Sequence, residues 1–541
     1  MNVLKKVDAA ISVKHDAGWN ANVSTRWSNA DLDPVPKAQR TWTGWDICSY
    51  WISDQLAPAT WMLGSSLVAL GLTARQAIPL SFVGFTFIGC VIALNGQVGS
   101  TTHCTFPVIA RSSFGMWGAY APILVRSILA LLWLVILTYQ GGGIVVVMLG
   151  AIWPSFLNIR NTLPEDLGIT TQGMIGFLIL WLFQAPLACV PVRKLALFFH
   201  FKAVVSFIGF GGLFIWALVV TKGKGLLLTG TFDEALLPRG SKSWAMIQGI
   251  NTCVGLYSTV SINIPDFCRF ARQPKSNWGQ ILTLPITGAI PIAISICCAQ
   301  AAKQNYDAVV FDPASLCALF DSRAARFFSA FSFFVSTLSV NISANSVSFA
   351  TDITALAPRW LTIFRCSVLA GILCWATNPW RIVNNAPSFY NFLSAYPVFL
   401  APVATIMATD FFLVKKQKVD IREFYNPHGI YMYFYGFNLR ALGAWLFAFA
   451  PNLPSFAHAV DPSNADVFPW LYKFSWFFST ASAVFWYWLL NVLFPAHATR
   501  VDEAVYEVHQ LEDSEESAIG SSDAEKEADA DKEYSTGVVS A

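Results

Sequence analysis

Residues 45–61 read Trp45-Asp-Ile-Cys-Ser-Tyr-Trp-Ile-Ser-Asp-Gln-Leu-Ala-Pro-Ala-Thr-Trp61, and the chain then runs apolar to Leu72. The stretch exceeds the ~20 mostly apolar residues that a helix needs to cross a bilayer. Pro58 stands in its middle. Proline has no N–H and clashes with the preceding turn, so the helix is expected to break at Gln55–Pro58. Backbone groups freed at that depth are tolerated only where they line a cavity or are covered by protein. Asp54 lies just before the break. Intramembrane acids are usually functional, which makes Asp54 a candidate for proton coupling; the alternative is a carboxylate near the membrane interface.

The rest of the chain has the same character. Of 541 residues 55% are apolar and 13% charged, against about 25% charged in soluble proteins. With 43 Phe, 21 Trp and a mean hydropathy of +0.50, a soluble fold is excluded. Twelve spans are expected, near 45–72, 75–96, 117–150, 170–191, 199–221, 243–267, 279–301, 327–352, 361–376, 385–413, 438–453 and 468–494. The organisation is an amino-terminal segment (1–44), a core of twelve transmembrane helices (45–494) and an acidic tail (495–541). The first segment lacks the apolar core of a signal peptide, so span one itself directs insertion.

An even number of spans puts both termini on one side. Lys5, Lys6, Lys14, Arg26, Lys37 and Arg40 place that side in the cytosol. From Arg500 onward thirteen acids face three bases, so the tail carries −10 and the remainder +12. Such a tail cannot bury enough apolar area to fold alone. Lys526 and Lys532, set among acids, are candidate ubiquitin acceptors for a ubiquitin ligase partner. The basic excess is too thinly spread for nucleic acid. The eleven cysteines form no CxxC pair and no metal-type spacing, and read as small core residues.

No enzyme constellation is present: the seven histidines are scattered, with no HExxH, nucleophile elbow or P-loop. Gly141-Gly-Gly143 follows a membrane helix and suits close helix packing. Span six repeats the interruption of span one: Gly249 and Gly255 flank Asn251-Thr252, followed by Tyr257-Ser-Thr259 and Asn263-Ile-Pro265-Asp266. Spans one and six would open two five-helix halves, and paired broken helices point to a transporter binding site. In span eight, Thr337, Asn341, Asn345, Ser348 and Asp352 share a helical face. An Asn amide both donates and accepts, which suits a lactam or ureide edge. Asn345 is read as a ligand; for Asn341, interhelical bonding is equally good. Span three places Arg126, Trp133, Leu137 and Gln140 on one face, and an indole can stack on a flat heterocycle.

These residues carry a resemblance. Arg40-Thr-Trp-Thr-Gly-Trp45, Tyr50-Trp-Ile-Ser-Asp54, Gly64-Ser-Ser66, Gly71-Leu72, His103-x-x-Phe-Pro-Val108, Arg111-Ser-Ser-Phe-Gly115, Asn263-Ile-Pro-Asp-Phe267 and Asn341-Ile-Ser-Ala-Asn345 occur in this order. Over roughly residues 30–495 the chain resembles the fungal uracil/allantoin permease group of the nucleobase–cation symporter-1 family. The resemblance implies an all-α, LeuT-like fold, a five-plus-five inverted repeat with two further helices. It implies Trp133 as the stacking ring, Asn345 as the substrate-bonding amide, Tyr257 as the second aromatic, and a gate in span ten near Asn391–Pro397. Substrate would bond Asn345 and the opened backbone at Gln55–Pro58. Where uracil-type members have Gln, this chain has Leu137, and Gln140 is the residue expected to substitute in part. The hydroxyl pair that holds sodium in bacterial relatives corresponds to Ser339 and Val340, so one hydroxyl is missing and a proton is expected as the coupling ion.

The expected function is proton-coupled uptake of a purine- or pyrimidine-related solute (uracil, allantoin, uric acid or similar) by alternating access in the plasma membrane. No cofactor or metal is expected. Arg126, two turns inward of Trp133, is read as a gating residue or an interfacial anchor. The rivals are a thiamine or nicotinamide riboside carrier and a sensor that binds without transporting.

Overall fold

A computed structural model describes residues 8, 11–13, 26–223, 241–378, 380, 386–461 and 463–507. Lys5, Lys6 and Lys14 of the amino-terminal segment, and Lys526 and Lys532 of the tail, lie outside the described residues. Among those described, eight helices are long and apolar enough to cross a membrane: spans two, three, four, five, seven, eight, ten and twelve. The other four predicted segments are helical too. Span nine is a single helix, Ile363–Ala376, span eleven is Leu439–Phe449, and spans one and six are in pieces.

Span one consists of α1 (Gly44–Gln55) and α2 (Pro58–Ala69). Thr43 starts α1 through a capping box with Asp46, which satisfies two otherwise orphaned backbone donors. Leu56 and Ala57 leave the helical region, and Pro58 restarts it at the first position of α2, where a missing N–H costs nothing. Span six consists of α3 (Ser241–Leu256), α4 (Val260–Asn263) and α5 (Pro265–Cys268). The turn between α3 and α4 is Tyr257-Ser-Thr259.

The packing partners show the internal repeat. Both halves of span one pack on span seven, and α3 and α5 of span six pack on span two. Spans two and seven pack on each other, span three packs on span four as span eight packs on span nine, and span three also lies against span eight. Spans one and six thus sit equivalently in two like halves that share one core.

Small residues set the closest approaches. A Cβ on Gly142 would meet the Phe177 backbone nitrogen at 2.8 Å, and one on Gly176 would meet the Gly142 carbonyl at 2.2 Å. Gly142, in the middle of the glycine run, is therefore where spans three and four touch backbone to backbone. Span five, by contrast, turns Leu197, Val204, Phe207, Ile208, Ile215 and Val219 outward, the apolar surface that lipid covers.

Residues 26–43 lie across one face of the molecule. Val35 N–H donates to the His103 carbonyl (3.0 Å), and Trp42 N–H donates to that of Phe270 (2.9 Å). Asn29 Nδ2 donates to the Leu361 carbonyl (3.0 Å), and Arg111 donates to the Trp27 carbonyl (2.9 Å). The segment straps together the loops after spans two, six and eight. Near it, Arg40 pairs with Glu507 at the start of the acidic tail (3.4 Å).

Candidate substrate-binding site

The interruptions of spans one and six enclose a small cavity of about 40 Å³. Span one contributes Asp54, Ala57 and Thr60; span three Trp133 and Leu137; span six Tyr257 and Thr259; and span eight Val340, Ala344 and Asn345.

The opened backbone is held by side chains. The Ser336 hydroxyl donates to the Leu56 carbonyl, and Asn95 Nδ2 reaches the Ser261 carbonyl in span six (2.8 Å). Each bond satisfies a carbonyl near a break, where an unpaired buried group would be costly. The Tyr257 hydroxyl donates to Gln55 Oε1 (2.8 Å), and Thr60 Oγ1 lies 3.4 Å from both partners. Gln55 is fully buried and sits behind Tyr257, joining the two breaks, and is not one of the lining residues.

Trp133 and Leu137 both face the cavity, one turn apart. The Trp133 indole meets Phe392 (5.3 Å between ring centroids, 66°) and Tyr396 (6.3 Å, 86°) of span ten edge-on. The Tyr396 hydroxyl donates to the Gly255 carbonyl, and a Cβ on Gly255 would meet the Leu393 carbonyl at 2.1 Å. The span-ten segment expected near Asn391–Pro397 therefore seals one side of the indole and rests on the end of α3. Leu137 closes its part of the wall with an apolar side chain.

The polar stripe of span eight divides among three neighbours. Six of its residues, Asn341–Ser346, form a π-helical turn, a feature frequent at functional sites. Asn341 Nδ2 is directed to the Leu134 carbonyl (2.9 Å), Thr138 Oγ1 (3.0 Å) and Gln184 Oε1 (2.7 Å). It fastens span eight to spans three and four and does not line the cavity. Its Oδ1 accepts from Asn345 Nδ2 (2.8 Å), which leaves the Asn345 amide oxygen and its second N–H for a ligand. Ser348 and Asp352 lie further toward the face carrying the amino-terminal strap. There Asn263 Nδ2 donates to Ser348 Oγ (2.6 Å), and Arg126 pairs with Asp352 and donates to the Ser348 carbonyl (3.0 Å).

Asp54 is buried in the cavity wall, and its Oδ1 has no hydrogen-bond partner. Lys202 of span five is close enough to interact with it electrostatically. The ammonium, itself buried, donates to the Ser53 carbonyl and to Ser53 Oγ (2.9 Å). Sequence reasoning missed Lys202, although a lone lysine in an apolar span is a signal. It also missed Ser336: the hydroxyl that reaches span one is Ser336, while Ser339 is buried further along the helix. Gln140 does not reach the central cavity; its Nε2 meets Met62 Sδ (3.1 Å) and it lines a second cavity on the far side. Among the described residues no group of three His, Cys, Asp or Glu could hold a metal ion.

Two broken helices that meet at a buried cavity within membrane-crossing helices define a secondary transporter built on an internal repeat. The chain belongs to the family described as "Permease for cytosine/purines, uracil, thiamine, allantoin", whose family model matches residues 34–478. It is 35% identical over 486 residues to an uncharacterised permease of Schizosaccharomyces pombe, covering 88% of this chain and 86% of that one. It is 32% identical over 445 residues to the uracil permease of Saccharomyces cerevisiae, covering 79% and 69% of the two chains. Among solved structures it is similar to Mhp1, a nucleobase-cation-symport-1 family transporter in a closed conformation with bromovinylhydantoin bound. The TM-score is 0.67 at 17% identity, covering 87% of this chain and 97% of that one. The fold is thus the LeuT-like one, and the protein is a multi-pass membrane permease.

Proposed function

We propose that the protein imports a nucleobase-related solute of the uracil or allantoin type together with a proton, by alternating access. The observation that carries this reading is the cavity at the paired breaks, which Trp133, Tyr257 and Asn345 line together with the buried Asp54. A flat heterocycle between Trp133 and Tyr257 would present its polar edge to Asn345. Because the cavity holds about 40 Å³, α1–α2 and span six must move from spans three and eight to admit it. Asn263–Ser348 on the strap side and Met62–Gln140 on the far side are contacts that such rocking breaks in turn.

Asp54 is the proposed proton carrier. The groups around it are Lys202 of span five, Tyr257 of span six and Tyr50 on its own helix. A sodium ion would need several oxygens at the span-one break, but the Leu56 carbonyl already accepts from Ser336 and that of Ser53 from Lys202. The fixed ammonium would also repel a second cation. The termini are placed in the cytosol and the protein in the plasma membrane, with Lys526 and Lys532 as ubiquitin acceptors in the tail. Unchanged ligand-triggered removal from the surface after substituting both lysines would dispose of that last assignment.

The test is initial-rate uptake of labelled uracil and allantoin at pH 5 and pH 7 in cells lacking their own carriers. Acid-stimulated uptake of either is expected. No uptake of either by protein shown to reach the surface would overturn the reading. Leu137→Gln adds an amide where the wall is apolar and is expected to strengthen uracil competition, a neutral hydrogen bond contributing about 0.5–1.5 kcal/mol. Unchanged competition would remove Leu137 from the account of specificity.

A further inference from the structure

A second, larger cavity of about 540 Å³ opens between spans three and four and the chain around residues 311–314, on the side away from the amino-terminal strap. Its volume falls within the ~300–1,000 Å³ of ordinary small-molecule sites, whereas the central cavity is less than a tenth as large. Gln140 lines it, three residues along span three from Leu137 in the central wall. The two cavities therefore follow one another along the same helix, and the Met62–Gln140 contact stands at the partition.

The amide of Gln140 is half satisfied. Its nitrogen meets the Met62 sulfur, and its oxygen is buried with no hydrogen-bond partner. A buried acceptor without a donor is costly, and a ligand N–H would recover that cost. The charged side chains of the lining are Glu165 and Asp312, with no lysine or arginine among the lining residues. Both Asp312 oxygens are engaged by Ser315, through its N–H (3.0 Å) and hydroxyl (2.6 Å), so the carboxylate contributes charge more than direct bonding. Tyr139 and Phe311 supply flat apolar surface.

We infer that this outer cavity is a reception site, where a flat, neutral or cationic solute with N–H donors lodges against Tyr139 and Phe311 and takes Gln140 Oε1 as its partner when Met62 moves and admits it to the central cavity. The inference rests on the transport reading above. It gives Gln140 a role in capture instead of a place in the central wall, and it makes the negative vestibule a filter against anions.

The experiment counts sites on the purified full-length protein in lipid nanodiscs. The probe is whichever of labelled uracil, allantoin or thiamine the cells take up. Two sites per chain are expected. Gly143→Leu points a side chain into the outer cavity, where an added Cβ would meet only the Ala314 Cβ at 3.7 Å. It is expected to leave one site and to raise the uptake KM several-fold. Gln140→Leu is expected to weaken the outer site about tenfold, and urate is expected to displace the probe from it poorly. One site in the unaltered protein, or two in Gly143→Leu, overturns the inference and leaves the transport reading standing. Displacement by urate as strong as by the probe itself also overturns it. Uptake of none of the three probes overturns both together.

Discussion

Arg126 with Asp352 and Lys202 with Asp54 are two buried acid–base pairs near the same cavity, and they are built differently. Arg126 and Asp352 are in direct contact, at 1% and 0% exposure, with a further bond from Arg126 to the Ser348 carbonyl. They join spans three and eight, which also lie against each other through Asn341. Lys202 instead gives its bonds to Ser53; Asp352 and Asp54 each keep an unpartnered Oδ1, but only Asp54 is without a direct bond to its base, and it lies in the cavity wall. Both pairs carry desolvated charge, yet one is closed and the other open. A closed pair suits an element that must stay together through the cycle; an open one leaves a carboxylate free to take and release a proton.

The largest expected effect comes from breaking the closed pair. Asp352→Leu takes away the carboxylate in direct contact with the buried Arg126 guanidinium and leaves it only the less direct charge of Asp266, which costs up to about 3–5 kcal/mol. Thermal unfolding in detergent should show a large loss of stability. The double variant Arg126→Met with Asp352→Leu replaces both charges with apolar groups and should recover part of it, the buried Asp266 carboxylate losing a neighbouring cation. A double variant as unstable as the single one would mean that Arg126 does more than balance Asp352.

Asp54→Asn tests the open pair and should act on transport more than on folding. Its thermal stability is expected to fall less than that of Asp352→Leu, because no bond to Oδ1 is lost and Lys202 keeps its bonds to Ser53. Uptake should lose its stimulation between pH 7 and pH 5. If stimulation persists, Asp54 is not the proton carrier and the contrast between the two pairs has no functional meaning.

Much of this arrangement was legible in the chain, and its gaps have physical causes. Pro58 alone is enough to place the break in span one, because a missing N–H acts within one turn. The turn at Tyr257 follows similarly from Gly255 and the polar residues after it. Asn345 was legible because an amide in an apolar span needs a reason to be there. The partner of Arg126 was not, since Asp352 lies 226 residues away and only the packing of spans three and eight brings it close. The π-turn at Asn341–Ser346 was invisible to a spacing argument that assumed a regular helix, and it helps explain why Asn341 and Asn345 serve different neighbours. Gln140 shares a face with Leu137 yet lines a different cavity, because it stands further from the amino-terminal strap along the helix, beside the loops around residues 161–170 and 311–314.

The smallest expected effect would turn the open pair toward the closed kind. Ser53→Ala deletes the hydroxyl that accepts from Lys202 at 2.9 Å but keeps the carbonyl that accepts as well. The ammonium then has a spare donor and lies close enough to Asp54 to feel its charge. Charge-assisted hydrogen bonds are worth about 1.5–3 kcal/mol, and rearranging the lysine offsets part of that. A proton must then compete for the carboxylate against a nearer ammonium, so half-maximal uptake should move to lower pH, by on the order of one pH unit for each ~1.4 kcal/mol gained. The maximal rate at saturating acidity should change little. A shift to higher pH would mean that Ser53 holds Lys202 toward Asp54, and that the pair is closed by the serine instead of being held open by it.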